Sequence, residues 1–305
     1  MMDEYLEANR KLWDELTPIH ARSEFYDLRG FKSGKCALSS IELEEVGDVS
    51  GKSLLHLQCH FGMGTLSWAR LGARAVGVDF SNEAINLARS LSDETGIGAR
   101  FVLSDIYELP GALAEEFDIV FTSAGVLCWL PDLKRWADVI SHFLKPGGFF
   151  YIFEGHPFSS VFNDAANVTE LEVTESYFSG PEPKYWEPDS DYADPNAEVT
   201  HGSYEWTHSL GSIVGALAEA GLRIEFLHEF PVLFDRACPL MEQDRDGWWR
   251  LKGDKVPLTF SIRASKPRQT GCPSYQICSP QHEIPTRKQI LNTETRNGES
   301  EREAS

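Results

Sequence analysis

The sequence predicts an α/β fold built on a mostly parallel, Rossmann-like sheet with helices on both faces. Three observations lead there. From Leu54 to Glu154, short apolar runs alternate with amphipathic stretches, the pattern of consecutive βαβ units. The first of those runs breaks into an irregular glycine-bearing turn, Gln58 to Gly64, before a helical pattern resumes. The last two apolar runs, LRIEFLHEF and PLTFSIRAS, have no clear helix between them, which favours an antiparallel final pair.

LLHLQ (54–58) reads as a strand buried on both faces, and Gly64 to Leu71 as a helix that Gly72 ends. RAVGVDF (74–80) is a second strand. Ser81 then caps a helix, SNEAINLARSL, with Ala84, Ala88 and Leu91 on one face and Glu83 at the positive N-terminus. ARFVLSD (99–105) and FDIVFTS (117–123) are the third and fourth strands. A helix runs from Asp132 through Leu144, and Lys145-Pro146-Gly147-Gly148 turns the chain into a fifth strand, FFYIFEG. Residues 156–208 lose the rhythm and read as an insertion or lid. SLGSIVGALAEAG restores it as a capped helix ending at Gly221, followed by the final strands around a second excursion at 231–256.

The expected organisation is an N-terminal helical cap over 1–50, a main domain over 51–265 and a disordered polar tail over 266–305. The cap holds an amphipathic helix (Tyr5, Leu6, Leu12, Trp13, Leu16) and the aromatic segment HARSEFYDLRGF. A formal charge of −19 over 305 residues repels polyanions, so neither nucleic acid nor an anionic membrane is the expected partner. The acidic start MMDEYLEANRKLW is unlike a signal peptide, and no apolar run approaches the ~20 residues of a membrane span, so a soluble cytoplasmic protein is expected. Six scattered cysteines without a CxxC pair point to reduced thiols, not disulfides or a metal site.

In an open parallel sheet, ligands sit outside the carboxyl ends of the strands, and the 58–64 turn occupies that position. Its glycines allow close backbone approach, and the N–H groups opening the next helix offer donors. Asp79 closes the second strand, where a carboxylate can accept from both hydroxyls of a ribose. Asp105 closes the third, near an adenine edge, so an adenosine-type cofactor is implied. Singly, each aspartate would serve equally as a turn residue; the ordered set of glycine turn, acid and acid carries the inference. A dinucleotide fingerprint fits badly, because residues 62–67 read G-x-G-x-x-S without the final glycine.

LLHLQCHFGMGTLSWARLGA, AVGVDFSNEAINLAR, ARFVLSDIYELP and FDIVFTSAGVLCWLPDLKRWADVISHFLKPGGFF together resemble the class I S-adenosylmethionine-dependent methyltransferases, over about residues 10–265. The resemblance implies seven strands with the last inserted antiparallel, S-adenosyl-L-methionine as cofactor, and methyl transfer to a small-molecule acceptor with an O, N or S nucleophile. By the same resemblance the loop with Gln58, Cys59, His60, Gly62 and Gly64 cradles the methionyl part. Asp79, followed by Phe80, holds the ribose, and Asp105 with Ile106 borders adenine. The family's first motif reads D-x-G-x-G-x-G, whereas here His56, Gln58 and His60 occupy the acid and first two glycine positions. Gln58 and His60 are therefore expected to take backbone angles accessible to non-glycine residues.

Any proton acceptor should lie at the carboxyl ends of the fourth and fifth strands, where Ser123, Glu154 and His156 stand, with His20 reaching in from the cap; Glu154 and His156 are the expected catalytic pair, and Ser123 is counted with the cofactor-binding residues. His156, which precedes Pro157, suits a turn equally well. Trp186, Trp206, Trp248, Trp249, Tyr185 and Tyr204 fall in the two excursions. They suit either a lid over an apolar or cationic acceptor or a minor core that fixes the insertions. A non-catalytic binding member of the fold and a nicotinamide-dependent oxidoreductase are the competing readings.

Overall fold

The computed structural model describes residues 2–268 apart from Ser123, Ser179 and Pro181. The tail expectation beyond Arg268 falls outside the described residues. Three N-terminal helices, α1 (Met2–Arg22), α2 (Leu28–Lys32) and α3 (Ser40–Val46), precede β1 (Ser53–Leu57). There follow α4 (Met63–Arg70), β2 (Arg74–Asp79), α5 (Asn82–Thr95), β3 (Arg100–Leu103), α6 (Leu109–Ala112), β4 (Phe117–Thr122), α7 (Leu133–Phe143) and β5 (Leu144–Gly155). Among the described residues the first excursion carries a short 3-10 turn, Ser159–Val161, and a two-stranded ribbon, β6 (Lys184–Trp186) with β7 (Ser203–Glu205). Then come α8 (Leu210–Glu219), β8 (Arg223–Phe230), a second ribbon of β9 (Met241–Gln243) and β10 (Trp249–Leu251), and β11 (Thr259–Ser265).

The seven-stranded sheet has the order β3-β2-β1-β4-β5-β11-β8. Strands β1 to β5 pair in parallel, and β11 inserts antiparallel between β5 and β8. The chain reverses direction across the sheet between β1 and β4, so the crevice for a ligand opens above the carboxyl end of β1. The helices begin where the sequence supplies caps. Ser81, Asp132 and Ser209 accept from the backbone N–H groups of Ala84, Arg135 and Ser212, and Ser39 with Glu42 forms a reciprocal capping box.

Strand alternation divides the core. Leu55, Leu57, Phe150, Ile152, Phe260 and Ile262 pack with Trp136, Ile140 and Phe143 of α7 on one face. Leu54, Phe121, Tyr151 and Phe153 pack with Trp68 and Val46 on the other. The expected Lys145–Gly148 turn is instead a bulge inside a continuous β5. The pairing register with β4 jumps from Phe117↔Leu144 to Ile119↔Phe149. Glycine is needed there, because a Cβ on Gly148 would lie 2.8 Å from the Asp118 carbonyl oxygen.

Gly62 meets two demands at once. Its φ is +82°, and a Cβ there would come within 2.6 Å of the Phe101 ring and 2.9 Å of the Ala88 methyl. Left-handed strain and overpacking then add. Gly62→Ala is expected to lower the unfolding free energy by about 2–5 kcal/mol in urea titrations. A loss below about 0.5 kcal/mol, the range of a neutral surface change, would contradict this packing.

Candidate functional site

Gln58 (φ 54°), His60 (φ 52°) and Gly62 (φ 82°) all adopt positive φ. The two non-glycine residues take left-handed turns, the sparsely used region that an L-residue can still adopt. Each costs about 1–2 kcal/mol and must be held in place by its surroundings. The His60 amide donates to Asp79 Oδ2 at 2.8 Å, the Cys59 amide to the Val78 carbonyl at 2.8 Å, and Gln58 Nε2 to the Val126 carbonyl at 3.2 Å. His56, at the family's acid position, is buried and lies 2.9 Å from Thr65 Oγ1 through Nδ1; burial lowers its pKa to about 3, so it is neutral. The Cys59 thiol is also buried, and its pKa is pushed up by burial and by Asp79, so it is inert.

Asp79 holds the loop from below. Its Oδ1 accepts from the Ser81 amide at 2.9 Å, tying the loop to the start of α5. Burial raises its pKa to about 6 against the pull of the amides of Ser81, His60 and Phe80. A carboxylate with two oxygens keeps acceptor capacity after these bonds. Asp105, held by the Tyr107 amide at 2.8 Å, is also raised by burial.

A cavity of about 770 Å³ collects Gln58, Cys59, His60, Gly62, Gly64, Asp79, Phe80, Asp105 and Ile106 into one wall. Its volume lies within the about 300–1,000 Å³ typical of small-ligand sites. Gln58 lines it, and its Oε1 is a buried acceptor without a hydrogen-bond partner. Ser123 lies outside the described residues.

Glu154 and His156 stand apart from this wall. Both oxygens of Glu154 are taken by four backbone amides: Gly125 at 2.5 Å, Gly155 at 2.7 Å, Val126 at 2.8 Å and Leu127 at 3.2 Å. Burial still raises its pKa, but a proton could be accepted only by surrendering an amide bond. This placement runs against the expectation of a general base; Glu154 instead fixes the loop after β4, whose residues 124–126 and 128–130 line the cavity. His156 accepts from the Phe158 amide at 3.0 Å through Nδ1, and its Nε2 lies 3.1 Å from Glu229 without hydrogen-bond alignment. It is a turn residue, as the alternative reading of the sequence allows.

The cavity's roof comes mainly from the cap. Asn9 pairs with the backbone of Tyr204 at 2.7 and 2.8 Å, Glu15 receives Thr200 and His201, and Asp14 receives Ser81 Oγ at 2.7 Å. These bonds fasten α1 to the first excursion and to the start of α5. His20 sits behind the loop: its Nε2 lies 3.1 Å from Asp191 Oδ1, and its Nδ1 lies 3.3 Å from His60 Nε2. With the Nε2 proton given to Asp191, Nδ1 accepts from His60, which packs against Trp13 and Tyr26. Of the excursion aromatics named from sequence, only Trp248 lines the cavity; Trp206 is core, and Tyr185 and Trp186 are exposed. The lining aromatics Trp13, Tyr26, Trp129, Tyr192 and Phe234 were not singled out as site residues. The density of aromatics in HARSEFYDLRGF was the available signal.

Residues 55–152 match the family model described as Methyltransferase domain. Over these residues the chain is similar to methyltransferases, and its strand order and antiparallel β11 agree with the fold that the class I S-adenosylmethionine-dependent resemblance implies. The domain is similar to the ubiquinone biosynthesis O-methyltransferase of Xanthomonas axonopodis pv. citri, at 29% identity over 43% of this chain and 55% of that one. It is also similar to that of Hahella chejuensis, at 32% identity over 39% and 51%. The chain spans about half the length of the curated relatives it matches. A crystal structure of an S-adenosylmethionine-dependent methyltransferase from Mesorhizobium loti shares the fold, with a TM-score of 0.52 and 19% identity over 77% of this chain and 99% of that one.

Replacing Glu154 by Gln turns one acceptor into a donor facing backbone N–H groups. Glu154→Gln is expected to cost about 1–3 kcal/mol of stability, read as a shifted urea midpoint. A midpoint equal to wild type would contradict the amide-binding role.

Proposed function

We propose that the protein transfers the methyl group of S-adenosyl-L-methionine to a small-molecule acceptor by in-line displacement. The observation that carries this reading is the cavity whose lining joins the left-handed loop, Asp79 and Asp105 with the aromatic side chains of Tyr26, Phe153, Tyr192, Phe234 and Trp248. The residues present fit the donor: the loop follows its glycine-type path, Gly62 has no room for a Cβ, and Gln58 Oε1 lacks a partner. Gln58 to Gly64 would hold the methionyl part, Asp79 the ribose, and Asp105 with Ile106 the adenine. When bound, the donor supplies an electrophilic methyl group on a sulfonium that leaves as a neutral thioether.

The chain's own contribution is orientation and exclusion of water. Alignment of this kind is worth up to roughly 7–11 kcal/mol, and a roof tied by Asn9, Asp14 and Glu15 suits it. The matched relatives are named as O-methyltransferases of ubiquinone biosynthesis, which supports a small organic acceptor. No proton transfer is assigned to Glu154 or His156, given their partners.

Two outcomes check the reading. Calorimetry should show S-adenosylmethionine and S-adenosylhomocysteine binding, and isotopically labelled methyl should pass from the donor into a small-molecule fraction of cell extract; a well-folded protein giving no heat with either ligand overturns the proposal. Ribose hydroxyls donate to the ionised form of Asp79, which in the free protein takes up a proton near pH 6. Affinity for S-adenosylhomocysteine should therefore fall as pH drops below about 6, by up to about tenfold per unit for one linked proton. Asp79→Asn should bind more weakly and flatten that dependence; a wild-type affinity constant from pH 7.5 to 5 would count against the ribose assignment.

A further inference from the structure

We propose that the aromatic arm of the cavity, the part lined by Tyr26, Phe153, Tyr192, Phe234 and Trp248, takes an acceptor carrying a positively charged nitrogen, held between aromatic faces and the Asp235 carboxylate. This rests on the methyl-donor reading of the same cavity and names its acceptor class.

Tyr26, Tyr192, Phe153, Phe234 and Trp248 belong to the cavity's lining, and so does Asp235. The hydroxyls of Tyr26 and Tyr192 are hydrogen-bonded to each other, so these rings present fixed faces. Asp235 shares the lining with both rings and follows Phe234 in the chain, and its charge adds to burial in raising the pKa values of the two tyrosines. Aromatic faces and a nearby carboxylate attract the same species, a cation with apolar flanks.

The charge inventory of the whole lining points the same way. Six carboxylates line the cavity, those of Asp27, Glu42, Asp79, Asp105, Glu205 and Asp235. Among the described lining residues Lys35 is the one Lys or Arg, and it is already 2.9 Å from Asp27. Each carboxylate but one is engaged by another residue. Glu42 closes a capping box, Asp79 and Asp105 accept backbone amides, and Glu205 accepts from Ser203. Among the described residues Asp235 has no ion pair, and the hydrogen bond to its carboxylate comes from its own backbone. A half-buried carboxylate without a counter-charge is costly, and a cationic ligand removes that cost on binding. Among the described lining residues an anionic acceptor would meet six carboxylates and one ammonium, that of Lys35, already paired with Asp27.

The test uses the full chain saturated with S-adenosylhomocysteine and matched probes on one-ring and two-ring aromatic scaffolds: a 2-arylethylamine, the 2-arylethanol and the 3-arylpropanoate. Calorimetry should find the ammonium probe binding at least about tenfold tighter than both isosteres on one scaffold. Asp235→Asn should reduce the ammonium to the level of the alcohol, and Asp235→Glu, which keeps the charge, should retain the preference. Equal or stronger binding of the alcohol or carboxylate on both scaffolds overturns the proposal, as does an undiminished ammonium preference in Asp235→Asn, which would make Asp235 a neutral acid. Failure of wild type to bind S-adenosylhomocysteine contradicts the donor reading itself. Retained S-adenosylhomocysteine binding without an ammonium preference contradicts the acceptor assignment alone.

Discussion

The carboxylate of Asp79 is the point on which the site depends. One oxygen receives the His60 amide at 2.8 Å and the other the Ser81 amide at 2.9 Å, so a single side chain joins the loop after β1 to the start of α5. That loop contains two non-glycine residues in left-handed turns, together costing about 2–4 kcal/mol by sterics alone. Such strain persists only where neighbours over-determine the conformation. Here they do: Asp79 holds the His60 backbone, His20 receives its ring, and the Val126 carbonyl receives the Gln58 amide.

A second consequence follows from what replaces glycine. A glycine loop contributes backbone alone, whereas His60 sends a ring into the roof, where it meets Trp13, Tyr26 and His20. The loop and the N-terminal helix are therefore coupled through side chains, and Asp191 in the first excursion orients His20 from behind. The sheet supplies the end of the cavity with Asp79 and Asp105. The cap and the two excursions supply most of the aromatic end. Glu154 joins the halves by gathering the amides of residues 125–127 onto the tip of β5.

The sheet was legible in the sequence because strand burial and cap chemistry are local. LLHLQ, RAVGVDF and FFYIFEG carry the apolar runs of buried strands, and Ser81, Asp132 and Ser209 mark helix starts by chemistry that acts over three residues. Asp79 and Asp105 could be placed because position at a strand's carboxyl end follows from the sheet. The LKPGG segment was harder: its glycines signal a turn, and only pairing with β4 decides that the turn becomes a bulge. The role of Glu154 was hidden for the same reason, since its four partners lie on a loop that only tertiary structure brings to it. The aromatic arm was the least legible, because Tyr26, Tyr192 and Asp235 come from three segments without periodicity and meet through long-range packing.

The most direct measurement is a crystal structure of the protein with S-adenosylhomocysteine. The account predicts positive φ at Gln58, His60 and Gly62 unchanged, both amide bonds to Asp79 kept, the ribose hydroxyls on that same carboxylate, and the sulfur facing the aromatic arm. A ligand bound elsewhere, or a loop that abandons its left-handed turns to admit it, would contradict the account.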